Sequence, residues 1–405
     1  MLWAMIGQAL DPDPSCAKAL ARLQAHRSRL GLAAVSDDTG AYCKARQRLP
    51  EGFLASLFRR SGGALAAQLR PQDLWHGRRV KVVDGSSSSM PDTPANQKEY
   101  PQPSGQKPGC GFPVVAYVAL FCLATGAALQ LSSGPYFVQD LTLFYFLRQA
   151  LAWGDILLAD RAFCSYAEIA LLQQRGADTL MRLHQRRHPD FRRGFLLGWR
   201  DHLVTWTKPR SCPPGLRRED YERLPDALTL RELQYHVAVP GFRTATVTLV
   251  TTLLDPDRYP ARDLADLYFR RWDVELDFRH LKITLQMDVL RAKTPDVVRK
   301  ELWTHLLAYN LLRSVMWAAS LQHRVPASRL SLKGALQHLA VRQDQGPAPG
   351  ATFHAPPFRD LLDRVARTVV PYRPYRFEPR VRKRRPKNYR LMTRPRSELK
   401  AALVC

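Results

Sequence analysis

The sequence predicts a mixed α/β fold, and three patterns predict it. Between positions 76 and 183, short apolar runs alternate with longer stretches of helical spacing. A second block, 184–255, holds alternating or β-branched segments with no long helical stretch among them. The flanking regions are dominated by good helix formers.

The elements follow in order. Residues 1–75 read as a helical N-terminal region. "SCAKALARLQAHRSRLGL" has helical spacing and a Gly stop, and "SDDTGAYCKARQRLP" opens on capping residues and ends before Pro50. Val80 to Val83 make a short apolar strand that ends in an Asp84-Gly85 turn, followed by a run of small residues. A loop punctuated by Pro91, Pro94, Pro101 and Pro108 comes next. The run Phe112 to Gly134 approaches transmembrane length, but Thr125-Gly126 interrupts it and Val, Ala and Leu fill both halves. It therefore predicts a buried β-hairpin. "LTLFYFLRQALAWGD" is a helix, "ILLADRAFCS" a strand ending in Asp160-Arg161, "YAEIALLQQRGAD" a helix and "TLMRLH" a strand.

In the block 184–255, "HLVTWTK", "LTLRELQYHVAV" and "TATVTLVTTLL" read as strands and "PRSCPPGLRRED" as a loop. From Ala261 no helix breaker occurs for over thirty residues, so 256–325 reads as long helices. The last region, 326–405, ends in a tail from Tyr372 with twelve Lys/Arg against two Glu.

Charge narrows the partners. With 61 Lys and Arg against 36 Asp and Glu the net charge is +25, which calls for a polyanion. Nucleic acid comes first and an anionic membrane second, but no basic amphipathic helix of low hydrophobicity supports the membrane. The seven cysteines form no CxxC pair, so neither a zinc ribbon nor a disulfide framework is indicated and a reducing cytosol fits. His184 and His188 form an HxxxH pair without the further ligands zinc needs.

The segment "YFRRWDVELDFRHLK" holds the sharpest pattern. On a helix at about 100° per residue, Tyr268, Arg271, Glu275 and Lys282 fall within an arc of roughly 60°. Leu267, Val274, Phe278 and Leu281 make the apolar stripe beside it. Asp84 and Asp160 close two strands, and Glu275 lies on a helix that returns after the strand-rich block. Such a set can hold two divalent metals, because carboxylates are the hard ligands that Mg²⁺ or Mn²⁺ prefers, and two metals can activate a water or a 3′-hydroxyl. The plainer alternatives are a strand-end turn at Asp84 and a solvated i,i+4 pair between Arg271 and Glu275.

The spacing Tyr268, two residues, Arg271, three residues, Glu275, six residues, Lys282 resembles the Tyr-Arg-Glu-Lys signature of a large group of bacterial insertion-sequence DDE transposases. "VVDGSSSSMPDT", "GFPVVAYVALFCLATGAAL" and "GDILLADRAFCSYAEIALL" resemble the segments that carry the group's two aspartates, and the resemblance spans roughly Pro12 to Arg396. It implies a ribonuclease-H-like catalytic core (76–183 and 256–325) with a β-rich insertion (184–255), preceded by a helical DNA-binding region (1–75) and followed by a helical and basic one (326–405). It implies Asp84, Asp160 and Glu275 as the metal-binding catalytic triad with two Mg²⁺ or Mn²⁺ ions. Tyr268, Arg271 and Lys282 would contact DNA phosphates, with Arg161 beside them.

The reaction it implies is cut-and-paste through a hairpin intermediate, on terminal inverted repeats and target DNA, by a homodimer in the bacterial cytoplasm, nucleoid-associated when bound. A Trp of the insertion, Trp199 or Trp206, would stack on a flipped base. The chain opens at Met1-Leu2 inside its first helical segment, which implies a shortened N-terminal region and impaired end binding. The alternatives to an active transposase are a DNA-binding remnant and a nuclease of the same fold that does not join ends.

In the tail, Arg382, Lys383, Arg384 and Arg385 form a phosphate-contacting arm or a solvated segment. Neutralising all four is expected to flatten the salt dependence of DNA affinity by up to about four in log–log slope. Binding titrations from low to high salt check this, and an unchanged slope rejects a DNA role for the arm.

Overall fold

The computed structural model describes residues 1–237, 246–345, 355–371 and 391–403. Four helices open the chain: α1 (Leu2–Leu10), α2 (Cys16–Arg29), α3 (Thr39–Arg48) and α4 (Glu51–Ala66). Then come β1 (Val80–Ser89), α5 (Pro94–Glu99), the hairpin β2 (Val114–Cys122) and β3 (Ala128–Pro135), α6 (Asp140–Tyr145), β4 (Ile156–Ala159), α7 (Tyr166–Gln174) and β5 (Asp178–Arg182). The strand-rich block supplies β6 (Phe195–Gly198), β7 (Asp201–Thr207), α8 (Arg218–Glu222), β8 (Ala227–His236) and β9 (Thr246–Thr251). The chain continues with α9 (Ala261–Phe269), α10 (Asp273–Arg279), α11 (Pro295–His323), α12 (Leu332–Gln345), α13 (Ala355–Arg367) and α14 (Arg396–Ala401).

The strands form one mixed sheet in the order β3-β2-β1-β4-β5-β9-β8-β7-β6. β1, β4 and β5 run parallel, and β2 is antiparallel to both its neighbours. The strand-rich block is not a separate sheet, because β9 pairs with β5 and carries β8, β7 and β6 outward. β4 lies between two parallel neighbours and is buried along its whole length, which explains why "ILLA" is a continuous apolar run.

Alternate residues of the sheet feed two cores. Val80, Val82, Ile156, Leu158 and Leu180 face the core shared with α9, α10 and α11, and Ile6, Ala9, Leu10 and Phe58 of the N-terminal helices join the same core. Val83, Leu157, Ala159 and Met181 face α6, α7 and the residues Trp206, Tyr221 and Leu230 of the strand-rich block. Each fully buried Leu or Val contributes roughly 1.5–3 kcal/mol.

Three expectations are corrected. Asp84-Gly85 is not a turn: β1 continues through the serines to Ser89, with Asp84 opposite Ala119 and Gly85 opposite Val118. The second is that the predicted loops are not wholly irregular, since "PRSCPPGLRRED" contains the start of α8 and the Pro-punctuated loop contains α5.

The third correction concerns the segment after Ala261, which is not one long helix. α9 gives way to a 3₁₀ turn at Arg270–Trp272, then α10, then a π-turn at His280–Thr284. The chain leaves the helix there because Asp288 and Leu290 bond to Ser89 at the end of β1, at 3.0 and 2.8 Å. Met287 and Leu290 enter the core on the way. A tertiary pairing overrides local helix propensity.

α10 is anchored from below. Asp277 is buried and ion-pairs with Arg313 of α11. The Tyr309 hydroxyl lies 2.9 Å from the Asp277 carboxylate and 2.8 Å from the Gly126 carbonyl, the two acceptors within reach of its one proton. Gly126 turns the β2–β3 hairpin at φ +68, and a Cβ there would stand 2.5 Å from the Arg313 guanidinium carbon. Removing one partner strands a buried charge. Arg313→Met is expected to cost about 3–5 kcal/mol of unfolding free energy by urea titration. A loss under about 1 kcal/mol would show that this junction does not hold α10.

Candidate active site

Register brings the first two carboxylates together. Val82 pairs with Leu158 in the parallel β1–β4 ladder, so two residues on Asp84 lies beside Asp160. Neighbouring strands stand about 4.8 Å apart. Ala159 pairs with Met181, so the next position beside Asp160 is Arg182, at the end of β5. Side chains alternate along a strand, so Asp84 and Arg182 fall on the face of Val82 and Leu180. α9 and α10 cover that face through Leu267, Tyr268, Val274 and Phe278.

Arg271 joins the strand and the helix. Its Nη1 lies 3.4 Å from Asp84 Oδ2 and its Nη2 lies 3.0 Å from Glu275 Oε1. Arg271 is buried at 8% exposure, and the Glu275 side chain is 45% exposed at the rim. Lys282, on the π-turn, donates from Nζ to Ser86 Oγ at 3.3 Å. Asp160 Oδ1 accepts from the Ala162 amide at 2.8 Å, which shapes the turn after β4. The backbone amide of Gly85 donates to Asp84 Oδ1 at 2.8 Å.

The electrostatics are those of buried charges with anionic neighbours. The Asp84 carboxyl is pushed up to about 6, first by burial and then by the charges of Asp160 and Glu275, with Arg271 and the Gly85 amide pulling the other way. Burial and then Asp160 raise Asp140 as well. Burial works to lower Arg271, and Tyr268, Asp84 and Glu275 outweigh it and raise it.

The other predicted residues fall in different places. Tyr268 is buried at 6% exposure under α9, and burial pushes its phenol up. Arg161 is exposed directly after Asp160. Trp206 is buried, with Nε1 donating to Glu232 Oε1 at 2.8 Å and the Arg187 guanidinium 3.5 Å above its ring. Trp199 is 84% exposed at the turn between β6 and β7, with the Arg200 guanidinium 5.1 Å from its ring. The structure thus separates two tryptophans that the sequence leaves equivalent. Arg382, Lys383, Arg384 and Arg385 lie outside the described residues.

Two charged groups near the site were missed by sequence reasoning. Arg182 closes a strand as Asp160 does, and its charge reaches Tyr268 and Tyr235. That strand-end position was its only signal. Asp140 has no signal in the sequence. Its carboxylate stands against Gly85, where a Cβ would lie 2.6 Å from Oδ2. The glycine after Asp84 is therefore needed for close approach.

Among the described residues, no group of three or more His, Cys, Asp or Glu side chains is close enough to hold a metal ion. The donor set still has the right chemistry for one. It consists of carboxylates alone, one of them raised by burial and then by its anionic neighbours, and Arg271 supplies the positive charge between Asp84 and Glu275.

The raised Asp84 has a stability consequence. Between pH about 4 and about 6 the folded state keeps a proton that the unfolded chain has lost, so stability falls as pH rises through that window. Asp84→Asn removes the fall. In EDTA the variant is expected to gain on the order of 2 kcal/mol over wild type at pH 8 relative to pH 4. Urea unfolding at the two pH values checks this, and an equal difference at both would refute the strain at Asp84.

A family profile described as "Transposase DDE domain" matches residues 75–311. The chain is 28% identical over 403 residues to the transposase InsG of insertion sequence element IS4 from Escherichia coli strain K12, covering 96% of this chain and 86% of that protein. It is 27% identical over 139 residues to the putative transposase InsZ of the same strain, covering 34% of this chain and 46% of that one. A cryo-EM structure of the piggyBac transposase synaptic complex with hairpin DNA aligns with 71% of this chain and 57% of its own. Its TM-score of 0.37 and identity of 10% are too low to carry weight. The profile spans more than half of the chain and includes all three carboxylates, and this protein belongs to the DDE transposases of bacterial insertion sequences.

Proposed function

We propose that this transposase cleaves DNA at the ends of its insertion sequence and joins the freed 3′-ends to target DNA, in a ribonuclease-H-like core. The observation that carries this reading is the placement of Asp84 in β1 beside Asp160 at the end of β4, with Arg271 bridging Asp84 to Glu275 of α10. Asp84, Asp160 and Glu275 would hold two divalent ions, Mg²⁺ or Mn²⁺. When bound, such ions lower the pKa of an attacking water or 3′-hydroxyl and stabilise the leaving oxygen of the phosphodiester.

The other roles belong to the chain. Arg271 and Lys282, with Arg182 on the same face, bind the scissile strand through its phosphates. Tyr268, being buried, supports Arg271 and shapes the floor of the site. Arg161 reaches the backbone from the turn after β4. Trp199 is the tryptophan that stacks on an extruded base, because the ring of Trp206 is already committed to Glu232 and Arg187. The π-turn that carries Lys282 re-aims that side chain toward β1, a common use of such turns.

The substrates are the terminal inverted repeats and a target duplex, held by two copies of the chain. Among the described residues no helix is long and apolar enough to cross a membrane. A DNA substrate in a bacterial cell places the protein with the nucleoid in the cytoplasm.

The test is cleavage and joining of labelled linear DNA bearing the element's own terminal repeats, with Mg²⁺ and with EDTA. Wild type is expected to free 3′-ends, form hairpins and join them only with Mg²⁺. Glu275→Gln is expected to lose at least about 10³-fold in rate while still binding the ends. Binding without cutting by both proteins would make the chain a DNA-binding remnant, and cutting without joining would make it a nuclease.

A further inference from the structure

Arg271 does something that a phosphate contact alone does not require. Two nitrogens of its one guanidinium are engaged by two different carboxylates, Asp84 at 3.4 Å and Glu275 at 3.0 Å. Those are two of the three groups assigned above to the metals. We propose that Arg271 is a placeholder cation that closes the metal-free site, and that a DNA phosphate opens it by drawing the guanidinium away. The inference rests on reading Asp84, Asp160 and Glu275 as the metal ligands.

The placement favours an exchange of partners. Arg271 is buried at 8% exposure beside Trp272, whose ring centre is 5.4 Å from the guanidinium carbon. A guanidinium so placed cannot simply be left without an anion, because an unpaired buried charge is costly. A phosphate offers the planar guanidinium two oxygens for the same bidentate contact as a carboxylate. Lys282 and Arg182 lie on the same face and can hold that phosphate near the site. In the exchange, Arg271 trades two carboxylates for one phosphate, and the carboxylates trade one guanidinium for divalent cations. Glu275 is exposed at the rim and free to turn once released. Each charge stays compensated throughout.

Two consequences separate this from a plain electrostatic effect. DNA and metal must each raise the affinity for the other by the same factor. The bridge also depends on the fork: an ammonium at this position keeps the charge but is a single point that does not span both carboxylates. Charge and bridging can therefore be tested apart.

The experiment is Mn²⁺ titration of the full-length protein, followed by electron paramagnetic resonance, with and without a duplex carrying the element's terminal repeat. The proteins are wild type, Arg271→Lys, Arg271→Met and the double variant Asp84→Asn/Asp160→Asn, each checked for folding by thermal unfolding. Wild type is expected to bind Mn²⁺ about tenfold tighter with DNA than without it. Without DNA, Arg271→Lys is expected to bind Mn²⁺ about fivefold tighter than wild type, and its gain from DNA shrinks by a similar factor. Should the Lys variant fail to fold, Arg271→Met carries the same comparison with Lys282→Met as the control for simple loss of charge. The placeholder role requires the larger gain at Arg271.

Mn²⁺ affinity in Arg271→Lys equal to that of wild type, with the DNA effect intact, overturns the placeholder and leaves the metal assignment standing. Mn²⁺ binding by the double variant as tight as by wild type overturns the metal assignment itself, and the placeholder with it.

Discussion

The helix that carries Glu275 hangs on one buried junction. Asp277, Arg313 and Tyr309 meet the carbonyl of Gly126, so α10, α11 and the β2–β3 turn are fixed at a single point. A buried ion pair is weak support for stability in general, because desolvation offsets attraction. Its value lies in geometry, since none of the three partners can move without stranding another. Glu275 sits two residues before Asp277 on the short helix α10, so the junction sets where that carboxylate meets the sheet. The hairpin turn leaves room for the guanidinium only because position 126 has no side chain.

The sheet supplies the other half of the geometry. Parallel register puts Asp84 beside Asp160, and the same register puts Arg182 next in line. Burying a carboxylate here works against folding, and the neighbouring carboxylates add to the cost, as the raised Asp84 carboxyl records. Arg271 of the covering segment answers it directly, bridging Asp84 and Glu275. A site that keeps anions crowded in the absence of metal gives up stability for readiness, and a net charge of +25 on the whole chain favours the polyanion that uses the site.

The insertion makes a similar division of labour. Arg231 is fully buried, bonded to Asp201 at 2.8 Å and to the Tyr259 carbonyl at 2.7 Å, which ties β7 and β8 to the segment leading into α9. Trp206 is held inside by Glu232 and Arg187, while Trp199, Phe195 and Leu196 project at the outer edge. The inner half of this strand-rich block is packed in the core, and its outer edge exposes Trp199, Phe195 and Leu196.

Much was legible in the sequence because it depends on local pattern. The β2–β3 hairpin was readable from an apolar run broken at Thr125-Gly126, and the structure turns there with Gly126 at positive φ. The strand end at Asp160 was readable from an apolar run that stops at a charge, and the spacing from Tyr268 to Lys282 pointed to the family.

What only the tertiary structure decided is everything that needs two distant segments at once. Asp84-Gly85 looks like a turn until Ala119 and Val118 are paired against it and Asp140 stands over the glycine. The helix after Ala261 has no local breaker, and it stops because Ser89 takes up Asp288 and Leu290. Trp199 and Trp206 are alike in composition and neighbourhood, and only Glu232 and Arg187, brought in from elsewhere in the chain, separate them. Local pattern records which residue can form which element. Burial and charge pairing between segments, which no local window contains, decide which residues meet.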